Sequence, residues 1–333
     1  AVEEYLRMAN DATMNAISLF VEGTTEKYQE KYQLPITGMM QEIRDDSRPR
    51  PVARRGGWTV GYPLKEYGAE IAITHKDLAY MNPADFQAHI DGVLGTAQAR
   101  IRHEMLYRLL NNTDNTFDDD RQGEITVKPL ASGEAGVLFP PVRGTMTEAT
   151  EDHYLESGYA AASISDTNNP VKTLADDVTH HGVNSQTDIP CVTLINPAQQ
   201  AQIEGLTKLV EYVPPAVQRG ADTAQILMPP VPVPGNRVIG YMSGLSWVAV
   251  YDWIPTNYLI TVNLGAPAPL KMRVHTSDSR LGTGLKMKSG ASDGIHTYNN
   301  WELDFGIGTG NRLGAAVMEL GTGGTYTIPA AYS

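Results

Sequence analysis

The sequence predicts an α+β fold, and three observations carry the prediction. Apolar side chains alternate with polar or turn-forming ones in short runs, 58–64 and 69–73, the pattern of a half-buried strand. Between 86 and 109 they recur instead at steps of three and four, the pattern of a helix. No unit repeats at a period of about 20 to 50 residues, which sets solenoids and propellers aside. Strand candidates grouped around a few helices are what an α+β chain shows. The 333 residues suffice for one large domain or roughly two to three ordinary ones.

Taken in order, residues 3–32 read as a rather polar helix, with Glu3, Glu4, Arg7 and Asp11 set among its apolar positions. Those charges exclude a secretory signal, and the absent initiator Met is read as trimming. From 34 to 57 the composition changes. Pro49 and Pro51 stop both a helix and a central strand there. The two alternating runs on either side of KEYG predict a hairpin. A lone two-stranded hairpin is marginal in water, so its apolar face is expected to be covered by another subunit.

Residues 82–112 carry the strongest helix signal. Asn82 is an N-cap, Pro83 occupies the first turn and Asp85 sits at the positive end of the dipole. Phe86, Ile90, Leu94, Ala97, Ile101, Met105 and Leu109 then form one stripe. At 1.5 Å per residue such a helix is about 45 Å long. NNTDNTFDDDRQG reads as the loop that ends it, and EITVKPL and GVLFPPV as short strands. NNPVKTLADDVTHHG follows as a helix opened by Asn-Pro, then IPCVTLI as a strand running into a further Asn-Pro helix, NPAQQAQIEGLTKLVE. After the connector MPPVPVPG come strands at RVIGYM, SWVAVYDWIP, NYLITVN, WELDFGI and LGAAVMEL.

The charge balance narrows the function. Lys and Arg number 26 against 38 Asp and Glu, and the net charge of −12 argues against a protein whose task is to grip phosphates. A single cysteine, Cys191, excludes an intrachain disulfide and a multi-cysteine zinc site and suits a reducing compartment. Within IPCVTLI it reads as a buried structural thiol. No apolar run approaches the ~20 residues that cross a bilayer, so no membrane partner is expected.

Candidate sites resolve mostly into structural features. Gly306, Gly308, Gly310 and Gly314 miss the dinucleotide spacing and read as a turn between two strands. His180 and His181, one turn after Asp176 and Asp177, lack a third metal ligand and read as a helix C-terminal cap. Asp114, Asp118, Asp119 and Asp120 match a calcium loop only loosely, since Pro129 stands where the bidentate Glu belongs. No catalytic signature appears, and no catalytic residue, cofactor or metal is expected. The arginines 44, 48, 50, 54 and 55, set against Asp45 and Asp46, give a local charge of +3. They are read as partners for acidic stretches, such as 114–120 or 148–156, of a neighbouring copy.

The order of parts resembles major capsid proteins of the Hong Kong 97 type, from tailed double-stranded DNA viruses. GGWTVGYPLKEYGAEIAIT resembles their extended loop, and ITHKDLAYMNPADFQAHIDGVLGTAQARIRHEMLYRLLNN their spine helix and its approach. PCVTLINPAQQAQIEGL is similar to the strand and helix of the axial domain, and RVIGYMSGLSWVAVYDWIP to its later strands; 113–165 matches no part of the family. The resemblance implies an N-terminal arm (1–44), an extended hairpin loop (45–76), a peripheral domain (77–145 and 265–333) with a spine helix over 82–112, and an axial domain (146–264). It implies pentamers and hexamers of the same chain in an icosahedral shell, located in the virion and assembled in host cytoplasm. Portal, scaffold or decoration proteins are further partners, with packaged double-stranded DNA held by weak non-specific contact. Arg48, Arg50, Arg54, Arg55, Trp58, Tyr62, Lys65 and Glu66 are the expected inter-subunit contacts. An encapsulin-type nanocompartment, which shares the fold, and a more distant α+β hydrolase or carbohydrate-binding domain remain as alternatives.

Overall fold

The chain opens with helix α1, Val2–Ile17, in the computed structural model, which describes residues 2–32, 57–145, 148–181, 190–211, 237–275 and 284–333. Glu3 and Glu4 lie in its first turn, where they complement the helix dipole. The single helix expected over 3–32 does not continue. A turn closed by Phe20 N–H on Ile17 O ends it, and the β-branched Val21, Thr24 and Thr25 favour strand. Strands β1, Val21–Thr25, and β2, Gln29–Tyr32, take its place.

Strand β3, Trp58–Gly61, pairs antiparallel with β2, so that Tyr32 lies opposite Trp58. Strand β4, Lys65–Thr74, pairs instead with a strand near the chain's end, over ten registered residues from Thr74↔His296 to Lys65↔Phe305. The hairpin predicted between the Trp58 and Ala69 runs is therefore absent. The segment between them crosses over the late strand rather than turning back. A Cβ on Gly306 would lie 1.8 Å from Pro63 O, and one on Gly308 2.7 Å from Gly61 O, so these glycines make the crossing possible.

Helix α2, His75–Tyr80, is capped by Thr74, and α3, Pro83–Leu110, follows at once. Asn82 and Asp85 form a reciprocal capping box there. The predicted stripe faces inward, with Ile90, Leu94, Ile101, Met105 and Leu109 buried. The acidic stretch after α3 is not a loop. Strands β5, Asn115–Asp119, and β6, Gly123–Val127, make a hairpin whose turn is held by Asp119 accepting from the backbone of Arg121 and Gln122.

Two main sheets follow. The first pairs β1 with β13, Leu270–Arg273, then with β15, His296–Thr309, and β14, Leu285–Ser292; β4 takes the other edge of β15. The outer part of β15 thus lies in a three-stranded arm, β4–β15–β14. The second has seven strands in the order β7 (Tyr154–Glu156), β16 (Ala315–Glu319), β12 (Tyr258–Asn263), β8 (Cys191–Ile195), β11 (Ser246–Val250), β10 (Val238–Met242) and β9 (Leu209–Glu211). Helix α4, Pro170–Thr179, and the single turn α5, Gln200–Glu204, cover one face, and the α3 cluster lies under the other. Thr193 hydrogen-bonds Ser246 at 2.7 Å and Thr261 at 2.8 Å, so the hydroxyls buried in this sheet satisfy one another.

Three expectations shift. The closing strand β16 joins the seven-stranded sheet, although 265–333 was expected wholly beside the spine helix. GVLFPPV supplies only the bridge Phe139↔Ala149. The third Asn-Pro helix, that after Asn196, is reduced to a 3-10 turn, Pro197–Gln199, and α5.

Candidate assembly surface and polar clusters

Of the residues expected to contact a neighbour, Arg48, Arg50, Arg54 and Arg55 lie outside the described residues. Trp58 and Tyr62 are held by their own chain. The Trp58 ring stacks on Tyr32 at 5.9 Å and tilts against Phe139 at 5.0 Å, with the Arg312 guanidinium 5.8 Å from its centre. The Tyr62 hydroxyl is 3.1 Å from that of Tyr32 and donates to Glu30 at 3.1 Å. Burial pushes the Tyr62 hydroxyl pKa far up. Burial also raises the Glu30 pKa, but hydrogen bonds from Lys27, Lys271 and Tyr32 outweigh it and hold the carboxyl at about 2. The Trp58 face is thus covered by β2 and Phe139 of its own chain, not by another subunit as a lone hairpin would require. Arg312 is fully buried and donates to Pro129 O, Leu130 O and Glu134.

Lys65 lies at the inner start of β4, opposite Phe305, and not at a loop tip. It is 3.7 Å from Glu104, which also accepts from Arg100 at 2.6 Å and Tyr67 at 3.1 Å. Glu66 is exposed beside His275 and Asp304. Asp114 pairs with Lys128, and Asp119 accepts from Arg273 at 2.7 Å while the same guanidinium donates to Tyr62 O. Burial raises the Asp119 pKa, yet the Arg273 bond carries it below the usual carboxylate range. Asp118 and Asp120 are exposed. Cys191 is buried, and burial pushes its thiol up to about 12, as an inert structural cysteine requires. The structure also brings His153 against His180 and His181, the third imidazole that sequence spacing did not offer.

The far end of the arm carries a feature that sequence reasoning missed. Tyr80 is 84% exposed and Ile295 66% exposed, with Leu78 beside them in α2. His75 N–H donates to Ile295 O at 3.0 Å, which ties the start of α2 to the β14–β15 turn. Among the described residues, β4 and β14 pair only with β15, so each keeps an unpaired edge. Only the pairing of β4 with the long β15 brings the start of α2 to the β14–β15 turn.

No protein-family model and no curated protein matches the chain. Solved structures do. A protein of Mycobacterium phage Patience superposes with a TM-score of 0.72 at 22% identity, covering 99% of this chain and 89% of that one. The mature capsid of bacteriophage PhiM1 gives 0.53 at 10% identity, and the capsid of cyanophage P-SCSP1u 0.52 at 9%, each covering 90% of this chain and 86% of the other. The chain has the Hong Kong 97-type capsid fold. In this Hong Kong 97-type chain α3, at Pro83–Leu110, occupies the expected spine-helix range of 82–112 within a residue or two at each end.

Proposed function

We propose that this chain is a major capsid protein. Copies associate as pentamers and hexamers into a closed icosahedral shell around double-stranded DNA, and the protein acts by assembly rather than catalysis. The observation that carries this reading is the match of nearly the whole chain, 99% of its length, to a phage protein of the same architecture. The neighbours named for capsids extend it to shell building. The net charge of −12 suits a wall that holds its DNA weakly. Heterologous contacts that close on themselves make such shells from one subunit type.

Within this reading the seven-stranded sheet is the core of the axial domain and the arm with α3 the peripheral domain. The outer end of the arm, with Tyr80, Leu78 and Ile295, meets a neighbouring copy. Arg48, Arg50, Arg54 and Arg55 pair with acidic groups of another copy, and exposed Glu66 contributes a rim contact. Trp58 and Tyr62 anchor the β2–β3 ladder to the body of their own chain. Portal, scaffold or decoration proteins are the further partners in this reading. Expression of the chain, followed by sizing chromatography and negative-stain microscopy, tests the proposal. Closed particles are expected, and a stable monomer overturns it. The contents of virus-derived particles then separate a genome container from a cargo compartment.

A further inference from the structure

A buried cluster at the junction of α4, β16 and the 131–153 segment has the form of a metal site. His153 is fully buried, and its Nδ1 lies 2.8 Å from Ala315 O. A carbonyl only accepts, so Nδ1 carries the proton and Nε2 presents a bare lone pair. That Nε2 has no hydrogen-bond partner, and neither does the Asp177 Oδ2 that faces it at 3.8 Å. Two buried acceptors facing each other call for a positive charge or a proton close by.

His181 repeats the arrangement. Its Nδ1 is 2.8 Å from Pro140 O, which leaves Nε2 free to ligate, and that atom lies 3.0 Å from His180 Nε2. The Glu151 carboxylate oxygens sit 3.5 Å from His180 Nε2 and 3.8 Å from His181 Nε2. Asp177 Oδ1 stands 3.9 Å from His180 Nδ1, the place of the outer carboxylate that orients a ligating imidazole. The three imidazole ligand atoms all lie within 4.8 Å of one another. Ligands 2.0–2.1 Å from a tetrahedral zinc are about 3.3 Å apart, so small side-chain rotations bring the set onto one ion. Arg312, whose charge reaches His153, is itself paired with Glu134. A cleft of about 350 Å³, lined by Trp58, Lys271 and Asn311, reaches His181 and gives an ion a route in.

We propose that His153, His180 and His181, with the Glu151 carboxylate as fourth ligand and Asp177 as outer partner, bind one Zn²⁺ per chain. Imidazole and carboxylate suit zinc or a neighbouring late transition ion, whereas magnesium and calcium want oxygen alone. Ligation through Nε2 calls for the His180 ring proton on Nδ1, where it faces Asp177 Oδ1, so that the ring binds as a neutral imidazole. The ion staples three pieces, the loop at Pro140, the segment at 151–153 and the C-terminal end of α4, that are joined by isolated main-chain hydrogen bonds, Phe139 N–H to Ala149 O and Arg143 N–H to His180 O. Through Ala315 it also fixes them to β16, at the edge of the seven-stranded sheet. This assignment is independent of whether the chain builds a shell.

The test uses the full chain, stripped with a chelator, dialysed, and reloaded with Zn²⁺ or Co²⁺. We expect uptake of about one ion per chain by elemental analysis and visible d–d bands of tetrahedral, nitrogen-ligated Co²⁺. His180→Ala, at a partly exposed position, and Glu151→Gln are each expected to weaken binding by at least ~10-fold, the scale on which losing even an outer partner is felt. Replacement of the exposed His89, on α3, leaves uptake unchanged. Chelation is expected to lower the unfolding temperature of the wild-type chain and to leave that of His180→Ala unmoved. Absence of stoichiometric uptake by the wild-type chain, or uptake that survives both substitutions, overturns the proposal and leaves a shared proton in the ion's place.

Discussion

The seven-stranded sheet and the outer arm are built on opposite terms. In the sheet, β8, β11 and β12 are buried at every position, with helices on one face and the α3 cluster on the other. In the arm, β4 is half-buried or exposed at every position but Ile73, the first five residues of β15 are only half-buried, and large apolar side chains stand in solvent at the tip. The same β15 is buried from Leu303 to Thr309, where β13 and the 61–63 crossing meet it. One strand therefore passes from a completed core into an incomplete one. An incomplete face with unpaired edges is where a second copy adds the most buried area.

The contrast can be broken at its junction first. Arg273→Ala strands the buried Asp119 carboxylate, and loss of one partner of a buried pair is expected to cost about 3–5 kcal/mol, read by denaturant unfolding of dissociated subunits. Leu194→Ala, in the middle of β8, is expected to cost about 2–5 kcal/mol by opening a cavity, and to reduce soluble yield whether or not particles form. At the arm's end the expectation reverses. Tyr80→Ser combined with Ile295→Ser is expected to leave subunit stability within ~0.5 kcal/mol per site, as surface changes do, while particle yield in sizing chromatography falls. Unchanged particle yield removes these residues from the contact.

The smallest effect concerns pH at the base of the ladder. The Glu30 carboxyl titrates at about 2 in the folded chain and at 4.5 ordinarily, so the unfolded chain takes up that proton first. Its contribution is fully present above pH 4.5 and is lost as pH falls from 4.5 towards 2. Glu30→Gln is expected to flatten the stability profile across that window, measured by unfolding at stepped pH.

Local signals were the ones the sequence displayed well. Helix α3 was legible because its cap, its Pro83 and its stripe all lie within the helix itself. Strands β8, β10, β11, β12 and β16 were legible as strands from their apolar runs, but their neighbours were not. The partner of β4 lies at the other end of the chain, and nothing in GYPLKEYG distinguishes a turn from a crossing of Gly61–Pro63 over Gly306 and Gly308. Arg312 was hidden for the same reason: an arginine in a glycine-rich turn reads as solvated until Pro129, Leu130 and Glu134 close around it. His153 gave no signal beside His180 and His181, since only the fold brings them together. Of the expected inter-subunit contacts, Trp58 and Tyr62 find the partners observed for them within their own chain.

Hydrogen–deuterium exchange on dissociated subunits and on assembled particles tests the contrast most directly. Assembly is expected to slow exchange in β4, α2 and the β14–β15 turn, and to leave β8, β11 and β12 as protected as they already were. Protection gained in the seven-stranded sheet, with the arm unchanged, contradicts the account.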